Sequence, residues 1–259
     1  VEQVPVGINP HIPNVARMYD YYLGGKDNFA ADREAAEKVL AIVPATRDAA
    51  RENRAFMQRA VRHLAGRGIR QFLDIGTGLP TQGNVHEVAG PDAHVVYVDN
   101  DPIVLTHARA LLAGSRSGVE VVQGDLRDPV AIMDEAKLID FSEPVAVLVV
   151  AVLHFVQDSD DPARLIGLLK ERMAPGSHLV LSHACPNRPA ESDDISHVYD
   201  AATSGIRLRT RAEILPLFDG LDLVEPGLVN VAEWRPDLAE LAPLQGVGDY
   251  LLGGVALKP

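Results

Sequence analysis

"FLDIGTGLP", residues 72–80, opens on an apolar run broken only by Asp74, turns through Gly76 and Gly78, and meets Pro80. An apolar run closing on two glycines is a buried strand that hands its backbone to a tight turn. Glycine takes left-handed dihedrals at no steric cost and lets a ligand approach the main chain. The same rhythm continues outward from Arg70 in QFLDIG, HVVYVD, VEVVQGD, VAVLVVAVLHFV, HLVLSHA, LVEPGLVNVAEW and DYLLGGVALK, seven candidate strands. Between the earlier ones lie TQGNVHEVA, DPIVLTHARALLAG, DPVAIMDEA and DPARLIGLLKERM, the last three opening on Asp-Pro, an N-cap followed by proline at the first helical position. Continuous β-branched runs separated by helices predict an α/β fold with a mostly parallel sheet covered on both faces. The last two runs have no clear helix between them and predict an antiparallel C-terminal hairpin at one edge. Thr210 and Glu213 predict a capping box for TRAEILPLF.

Residues 1–66 read differently, as an arm and a helical lid, with the sheet-bearing domain over 67–259. Three prolines fall in the first 13 residues. Asn14 is placed to cap VARMYDYYL, Gly24 and Gly25 to stop it, and Asp27 or Asn28 to start FAADREAAEKVLAIV. After Pro44 a third helix carries Ala49, Asn53, Phe56, Met57, Ala60, Val61 and Leu64 near helical spacing, with Gly66 as its stop.

The chain has 259 residues, 47% of them hydrophobic, enough for one sizeable α/β core. A net charge of −12 and a pI near 5.1 oppose collection of a phosphate backbone, so nucleic acid is not an expected partner. The single cysteine, Cys185, excludes an internal disulfide, and neither cysteine clusters nor an HExxH-like spacing suggests a metal site. The opening residues lack a basic region followed by a long apolar one, and no apolar stretch has membrane-spanning length; a cytoplasmic protein with no membrane partner is expected.

Two more acids mark strand ends. Asp99 closes HVVYVD 23 residues past Gly76, where a second strand delivers a carboxylate able to accept both hydroxyls of a ribose. Asp125 closes the third run and can accept an adenine amino proton. Dinucleotide sites place a pyrophosphate on a G-x-G-x-x-G turn. Here the third position falls on Thr81, Pro80 removes an N–H donor, and Asp74 opposes a phosphate, so an adenosine bearing an ammonium group suits the turn better than a nicotinamide dinucleotide.

DIGTG at 74–78, VYVDND at 96–101, GDLRDP at 124–129 and the run VAVLVVAVLHFV resemble the class I S-adenosylmethionine-dependent methyltransferases over roughly residues 70–259. The resemblance implies a Rossmann-like class I fold with S-adenosylmethionine as cofactor and S-adenosylhomocysteine as product. It implies Asp74 and Gly76 near the methionine amine and carboxylate, Gly78 beneath the adenosyl group, Asp99 on the ribose, and Asp125 on adenine with Leu126 beside it. Thr77 and Asn100 complete the implied cofactor set. Pro80 departs from the pattern, standing where many members have a third glycine. ARMYDYYLGGKDNF at 16–29, RENRAFMQRAVRHLA at 51–65 and LVEPGLVNVAEWRPD at 223–237 extend the likeness to the whole chain, which resembles an actinobacterial S-adenosylmethionine methyltransferase family once described as a domain of unknown function.

YDYYLGGKDNF mixes more polar chemistry than a packing helix requires and reads as a lid over the glycine turn, with Tyr19, Tyr22, Lys26 and Asn28 toward the acceptor. Arg54 and Asn53, on the third helix, are candidates to fix that lid or grip a carboxylate. His154, near the end of the fourth run, is the candidate general base, with Tyr22 as a second catalytic candidate; His183 is a weaker alternative. Trp234 reads as core. Acidity and the absence of an NPPY-like tetrapeptide after the fourth run point to a small-molecule acceptor. The rival reading is a regulatory or sensor protein that binds the nucleoside and transfers nothing.

Overall fold

Strands that are apolar on both sides need cover on both sides, and the packing around residues 71–75 supplies it. A computed structural model describes residues 9–80, 83–112, 118–186, 189–237 and 250–259. Strand β1 (Gln71–Ile75) is buried along its whole length. It is flanked in parallel by β2 (His94–Asp99) and β4 (Ala146–Val150), with Phe72 opposite Val95 on one side and Ala146 on the other. Outside β2 lies β3 (Val119–Gln123), and outside β4 lies β5 (His178–Ala184), both parallel. β8 (Leu251–Leu257) runs antiparallel to β5, and β6 (Asp222–Leu223) and β7 (Val229–Asn230) pair antiparallel with β8. The order is β3-β2-β1-β4-β5-β8-β6. The chain winds outward from β1 to β3 and then returns to β4 on the other side, so the winding reverses between β1 and β4. A crevice at the carboxyl ends of those two strands is the geometric consequence.

Two expected strands come out differently. The sixth run is two short strands, giving eight among the described residues in place of seven, because Pro226 offers no N–H to a ladder and Gly227 turns with φ 92°. The fourth run is strand only as far as Val150; Ala151 takes φ 55° and Leu153–Phe155 form a 3-10 turn. Apolar content alone does not distinguish these states.

Helix α1 (Val15–Tyr22) starts as expected, with the Asn14 side chain accepting from the N–H groups of Ala16 (2.9 Å) and Arg17 (3.1 Å). Helix α2 (Ala30–Ile42) starts at neither Asp27 nor Asn28: the Asn28 amide is turned to Asp20, and Asp32 takes the Phe29 N–H at 2.7 Å. Helix α3 (Thr46–Gly66) lays Phe56, Ala60 and Leu64 on the sheet against Phe72, Val95 and Leu148. Trp234, fully buried, meets Phe56 edge-on at 5.6 Å in the same cluster. Around the sheet follow α4 (Val85–Ala89), α5 (Pro102–Leu112), α6 (Pro129–Glu135) and α7 (Pro162–Arg172). On the opposite face from α3, Ile132 of α6 and Leu165 and Leu169 of α7 pack with Leu73, Val147 and Leu179. Each such side chain contributes about 1.5–3 kcal/mol of burial, which fixes β1 and its turn far more firmly than local propensity does.

The N-terminal helices therefore divide. α3 belongs to the sheet's own covering layer, whereas Met18 of α1 and Ala36 and Val39 of α2 pack with Ile195 and Tyr199 of α8 (Pro189–Tyr199). Helix α9 (Arg211–Ile214) carries the expected cap, with Thr210 N donating to Glu213 Oε2 at 2.8 Å. Among the described residues no helix is long and apolar enough to cross a membrane.

Candidate active site

At the reversal point lies a cleft of about 500 Å³, lined by the ends of β1, β2, β3 and β4 and covered by α1 and α3. The glycine turn is its floor. Gly76 N and Thr77 N donate to Val98 O at 2.8 and 3.1 Å, tying the turn to β2. Gly76 has φ 72°, and a Cβ there would stand 2.4 Å from Val152 Cγ2, so no other residue fits. Gly78, with φ 66°, donates its N–H to Asp99 Oδ2 at 2.9 Å.

The three strand-end acids all line this cleft. Asp74 accepts from Thr77 Oγ1 at 3.0 Å, and burial pushes its pKa up to about 6 against the opposing pulls of Thr77 and Arg54. Asp99 accepts from Gly78 N and, on its other oxygen, from Asp101 N at 2.9 Å; burial raises its pKa as well. The Asn100 N–H also stabilises the carboxylate, and the capacity left on its two oxygens faces the cleft, where a vicinal diol can use it. Asp125 is more fully engaged. Burial raises its pKa, but the hydrogen bonds and charge around it outweigh that and the net shift is downward: Arg127 N and Nη1 reach Oδ1, and Asn100 Nδ2 and Arg127 Nη1 reach Oδ2, all within 2.9–3.1 Å. An adenine amino group would have to share or displace the Arg127 guanidinium. Leu126 and Asn100 line the cleft beside it.

The residues expected over the cofactor separate into two groups. Tyr19 and Arg54 line the cleft. The Tyr19 hydroxyl donates to Ala50 O at 3.1 Å and accepts from Asn53 Nδ2 at 3.0 Å, and burial raises its pKa, so it is held as a neutral phenol. Tyr22, Lys26 and Asn28 are not part of the lining. Tyr22 is buried with its hydroxyl 3.4 Å from that of Tyr199. Asn28 donates to Asp20 Oδ2 at 2.8 Å and to Gly25 O at 3.1 Å, so the polar YDYYLGGKDNF segment is organised around the buried Asp20 carboxylate. Lys26 is exposed on that turn.

His154 is also outside the lining. It lies in the 3-10 turn, 6% exposed, with Nδ1 accepting from Ala184 N at 3.3 Å. That bond places the proton of the neutral ring on Nε2, and burial, reinforced by His183 and Arg209, holds its pKa well below the usual histidine range. His154 so placed is a donor without a free accepting nitrogen, which removes the geometric basis for the base expected there. His183 is fully buried, its Nδ1 on Ala184 O and its Nε2 receiving Arg209 Nη1 at 3.0 Å.

Several cleft residues carried no signal of their own. Arg17 lines the cleft while its Nε meets Asp32 Oδ2 at 2.7 Å, an ion pair with side chains 4% and 0% exposed. Phe155, Val152, Thr203 and Ser204 extend the wall. A buried polar chain runs behind it: Ser182 Oγ donates to Asn53 Oδ1 at 2.6 Å and accepts from Ala151 N at 2.9 Å. A positive φ at a residue bearing a Cβ was the one trace that could have flagged Ala151, and it is visible only in the backbone. No group of three or more His, Cys, Asp or Glu among the described residues is placed to hold a metal ion.

The sheet order and the strand-end cleft are those of the class I methyltransferase fold. The N-methyltransferase NodS from Bradyrhizobium japonicum WM9, solved with S-adenosylhomocysteine, shares that fold at a TM-score of 0.50 and 16% identity over 78% of this chain and 86% of its own. The chain belongs to the S-adenosyl methyltransferase family, whose model matches residues 2–259, and its cofactor is S-adenosylmethionine. A DUF574-family protein from Streptomyces avermitilis MA-4680 is 43% identical over 96% of this chain and 98% of its own, with a TM-score of 0.90. A Thermobifida fusca YX protein, proposed to be a methyltransferase, is 40% identical over 100% and 99% of the two chains, also with a TM-score of 0.90. No curated protein matches the sequence.

Proposed function

We propose that the protein methylates a small-molecule acceptor in the cleft between the sheet and α1, with Asp99 on the ribose, Asp125 and Leu126 at the adenine, and Gly76, Thr77, Gly78 and Asn100 forming the wall around the nucleoside. The observation that carries this reading is that the ends of β1, β2 and β3 bring Asp74, Asp99 and Asp125 to one cavity whose floor is a left-handed glycine turn. When bound, the cofactor's sulfonium supplies a methyl group to a nucleophile in line with the carbon–sulfur bond, leaving S-adenosylhomocysteine. The chain's part is to hold the reacting groups in register and exclude water. Val152 and Phe155 present an apolar wall beyond the glycine turn, and Tyr19, with Asn53 behind it, a neutral polar one. An acceptor that arrives with a free lone pair needs no base from this wall, which agrees with the placement of His154. Residues 1–66 and 67–259 are proposed as the lid-bearing and cofactor-binding parts, with α1 and α2 as the lid proper.

A non-catalytic sensor is the second reading, favoured by the placement of His154, whose Nδ1 is taken by Ala184 N outside the lining, and of the Tyr19 hydroxyl, which already serves Ala50 O. Thermal denaturation with S-adenosylmethionine, S-adenosylhomocysteine or NAD tests the site: the first two raise Tm and NAD does not. Asp99→Ala removes most of the shift, and a full shift in that variant rejects the ribose assignment. Transfer of a labelled methyl group to a small molecule from cell extract separates enzyme from sensor.

A further inference from the structure

A chain of hydrogen bonds fixes which way the hydroxyl on the cleft wall points. Ala151 N donates to Ser182 Oγ at 2.9 Å, so the Ser182 hydrogen is free to go on to Asn53 Oδ1 at 2.6 Å. That sets the Asn53 amide with its nitrogen toward Tyr19, whose oxygen accepts from Nδ2 at 3.0 Å. The Tyr19 hydrogen in turn goes to Ala50 O at 3.1 Å. A phenol has one hydrogen to give and two lone pairs to offer. The hydrogen and one lone pair of Tyr19 are spent, while the side chain, half-buried, lines the cleft. Tyr19 thus accepts from a ligand and does not donate to it.

Such a wall selects a molecule that brings an N–H or O–H. A neutral hydroxyl attacks well only as it sheds its proton, and the described groups leave that proton no taker. Tyr19 is held as a neutral phenol, Nδ1 of His154 is taken by Ala184 N, and Asp74 is turned to Thr77. A thiolate or a carboxylate brings lone pairs only, to face the lone pair of Tyr19. An alkylammonium has no lone pair until a base removes a proton. An amine that is neutral near neutral pH has both an N–H and a free lone pair. Such weak basicity belongs to amines on aromatic rings, and Val152 and Phe155 offer a ring an apolar wall. We propose that the acceptor is an aryl or heteroaryl amine and that Tyr19 holds one of its N–H groups, turning the nitrogen lone pair toward the methyl group. The inference rests on the reading of the cleft as the S-adenosylmethionine site and adds the class of molecule methylated there. The nitrogen bonds to the methyl carbon as the carbon–sulfur bond breaks, its electron pair passing to sulfur. The N-methylated cation then loses a proton to water and leaves as the neutral amine. Positive charge builds on nitrogen along this path, so the N–H bond to Tyr19 strengthens in the transition state and acts on rate more than on binding.

Incubation of the full chain with S-adenosylmethionine labelled at its methyl carbon and the small-molecule fraction of a cell extract tests this, because the NMR shift of that carbon reports the atom carrying it. The expected product carries the label on the nitrogen of an aryl or heteroaryl amine. Tyr19→Phe keeps the ring and removes the lone pair; it is expected to slow transfer about 10- to 100-fold, with S-adenosylhomocysteine within about twofold of its wild-type affinity by calorimetric titration. Label on oxygen, sulfur, carbon or an alkylamine nitrogen overturns the proposal. So does transfer at an unchanged rate in Tyr19→Phe, or a loss of affinity that matches the loss of rate. Wild-type protein that binds S-adenosylhomocysteine and labels nothing also overturns it, and leaves the cofactor reading standing. Wild-type protein that binds neither nucleoside overturns the reading of the cleft itself.

Discussion

The two sides of the cleft are built by different means. On the glycine-turn side, polar groups pair with near neighbours along the chain or with the adjacent strand end: Thr77 with Asp74, Asp101 with Asp99, Arg127 and Asn100 with Asp125. On the covering side, beside nearer pairs such as Arg17 with Asp32 at a separation of 15, partners come from opposite parts of the chain, Asn53 with Ser182 at 129 and Tyr22 with Tyr199 at 177. The first side assembles as soon as three parallel strands align. The second exists only after α1, α2 and α3 have packed. The covering side should therefore carry stability, and the turn side should hold binding groups that cost stability.

The strongest way to break that contrast is to attack the covering side at Asp32. This carboxylate receives Arg17 Nε at 2.7 Å and the N–H groups of Phe29 and Asn14 at 2.7 and 2.8 Å, with its side chain wholly buried. Asp32→Ala leaves a buried guanidinium without its partner and should cost about 3–5 kcal/mol in denaturant unfolding. A loss below about 1 kcal/mol would show that the covering helices do not hold the fold.

Asp74 makes the opposite case. Its folded pKa of about 6 lies above the ordinary carboxylate value, so the native state binds the proton more tightly than the unfolded one. Between about pH 4 and about pH 6 stability falls as pH rises, and the ionised form carries a penalty of about 2–3 kcal/mol above that window. Asp74→Asn should therefore be more stable than wild type at pH 7, with the difference vanishing near pH 4. The same variant should bind S-adenosylmethionine more weakly, and wild-type affinity should rise with pH across the window. Asp99 and Asp20 shift in the same direction as Asp74 and Asp125 in the other, so the wild-type-minus-variant difference isolates the group. A variant less stable at pH 7 would show that Asp74 is paired in the free protein.

The polar chain between the two sides gives an intermediate effect. Ser182→Ala removes the hydroxyl that serves both Asn53 Oδ1 and Ala151 N, leaving the buried Asn53 oxygen without that donor and Ala151 N with only its longer 3.3 Å bond to Ser182 O, and costing about 1–3 kcal/mol. Its crystal structure should show Ala151 moved from φ 55°. An unmoved Ala151 would mean that packing of Val152 on Gly76, not the hydroxyl, holds the turn.

What could be read from the sequence follows the same division. The parallel sheet was legible because each run was bounded by glycines or Asp-Pro caps. Asp99 was legible because strand length and the following helix fix which residue emerges at a strand's carboxyl end. His154 was not: it sits in an apolar run that continues past Val150, and only the backbone turn at Ala151 sends the ring toward Ala184 instead of the cleft. Tyr22 and Asn28 share the polar segment that supplies Tyr19, but Tyr22 is turned to Tyr199 and Asn28 to Asp20, whose carboxylate sits 1.9 Å from where a Gly25 Cβ would stand. A second glycine beside Gly24 is thus explained by a buried acid five residues earlier, a tertiary fact that composition does not carry.

The mildest variant is the sharpest check on that last argument. Lys26 stands in the same polar segment, next to Gly25, yet its side chain is exposed and does not line the cleft. If the segment's polarity serves the Asp20-centred turn, Lys26→Ala changes unfolding free energy by less than about 0.5 kcal/mol and leaves S-adenosylhomocysteine affinity as it was. If the segment instead closes over bound ligand, Lys26 meets the cleft in the closed form and its loss weakens binding. Titration of the Lys26→Ala protein decides between a turn that merely positions α1 and one that itself takes part in recognition, because only the second makes an exposed side chain matter.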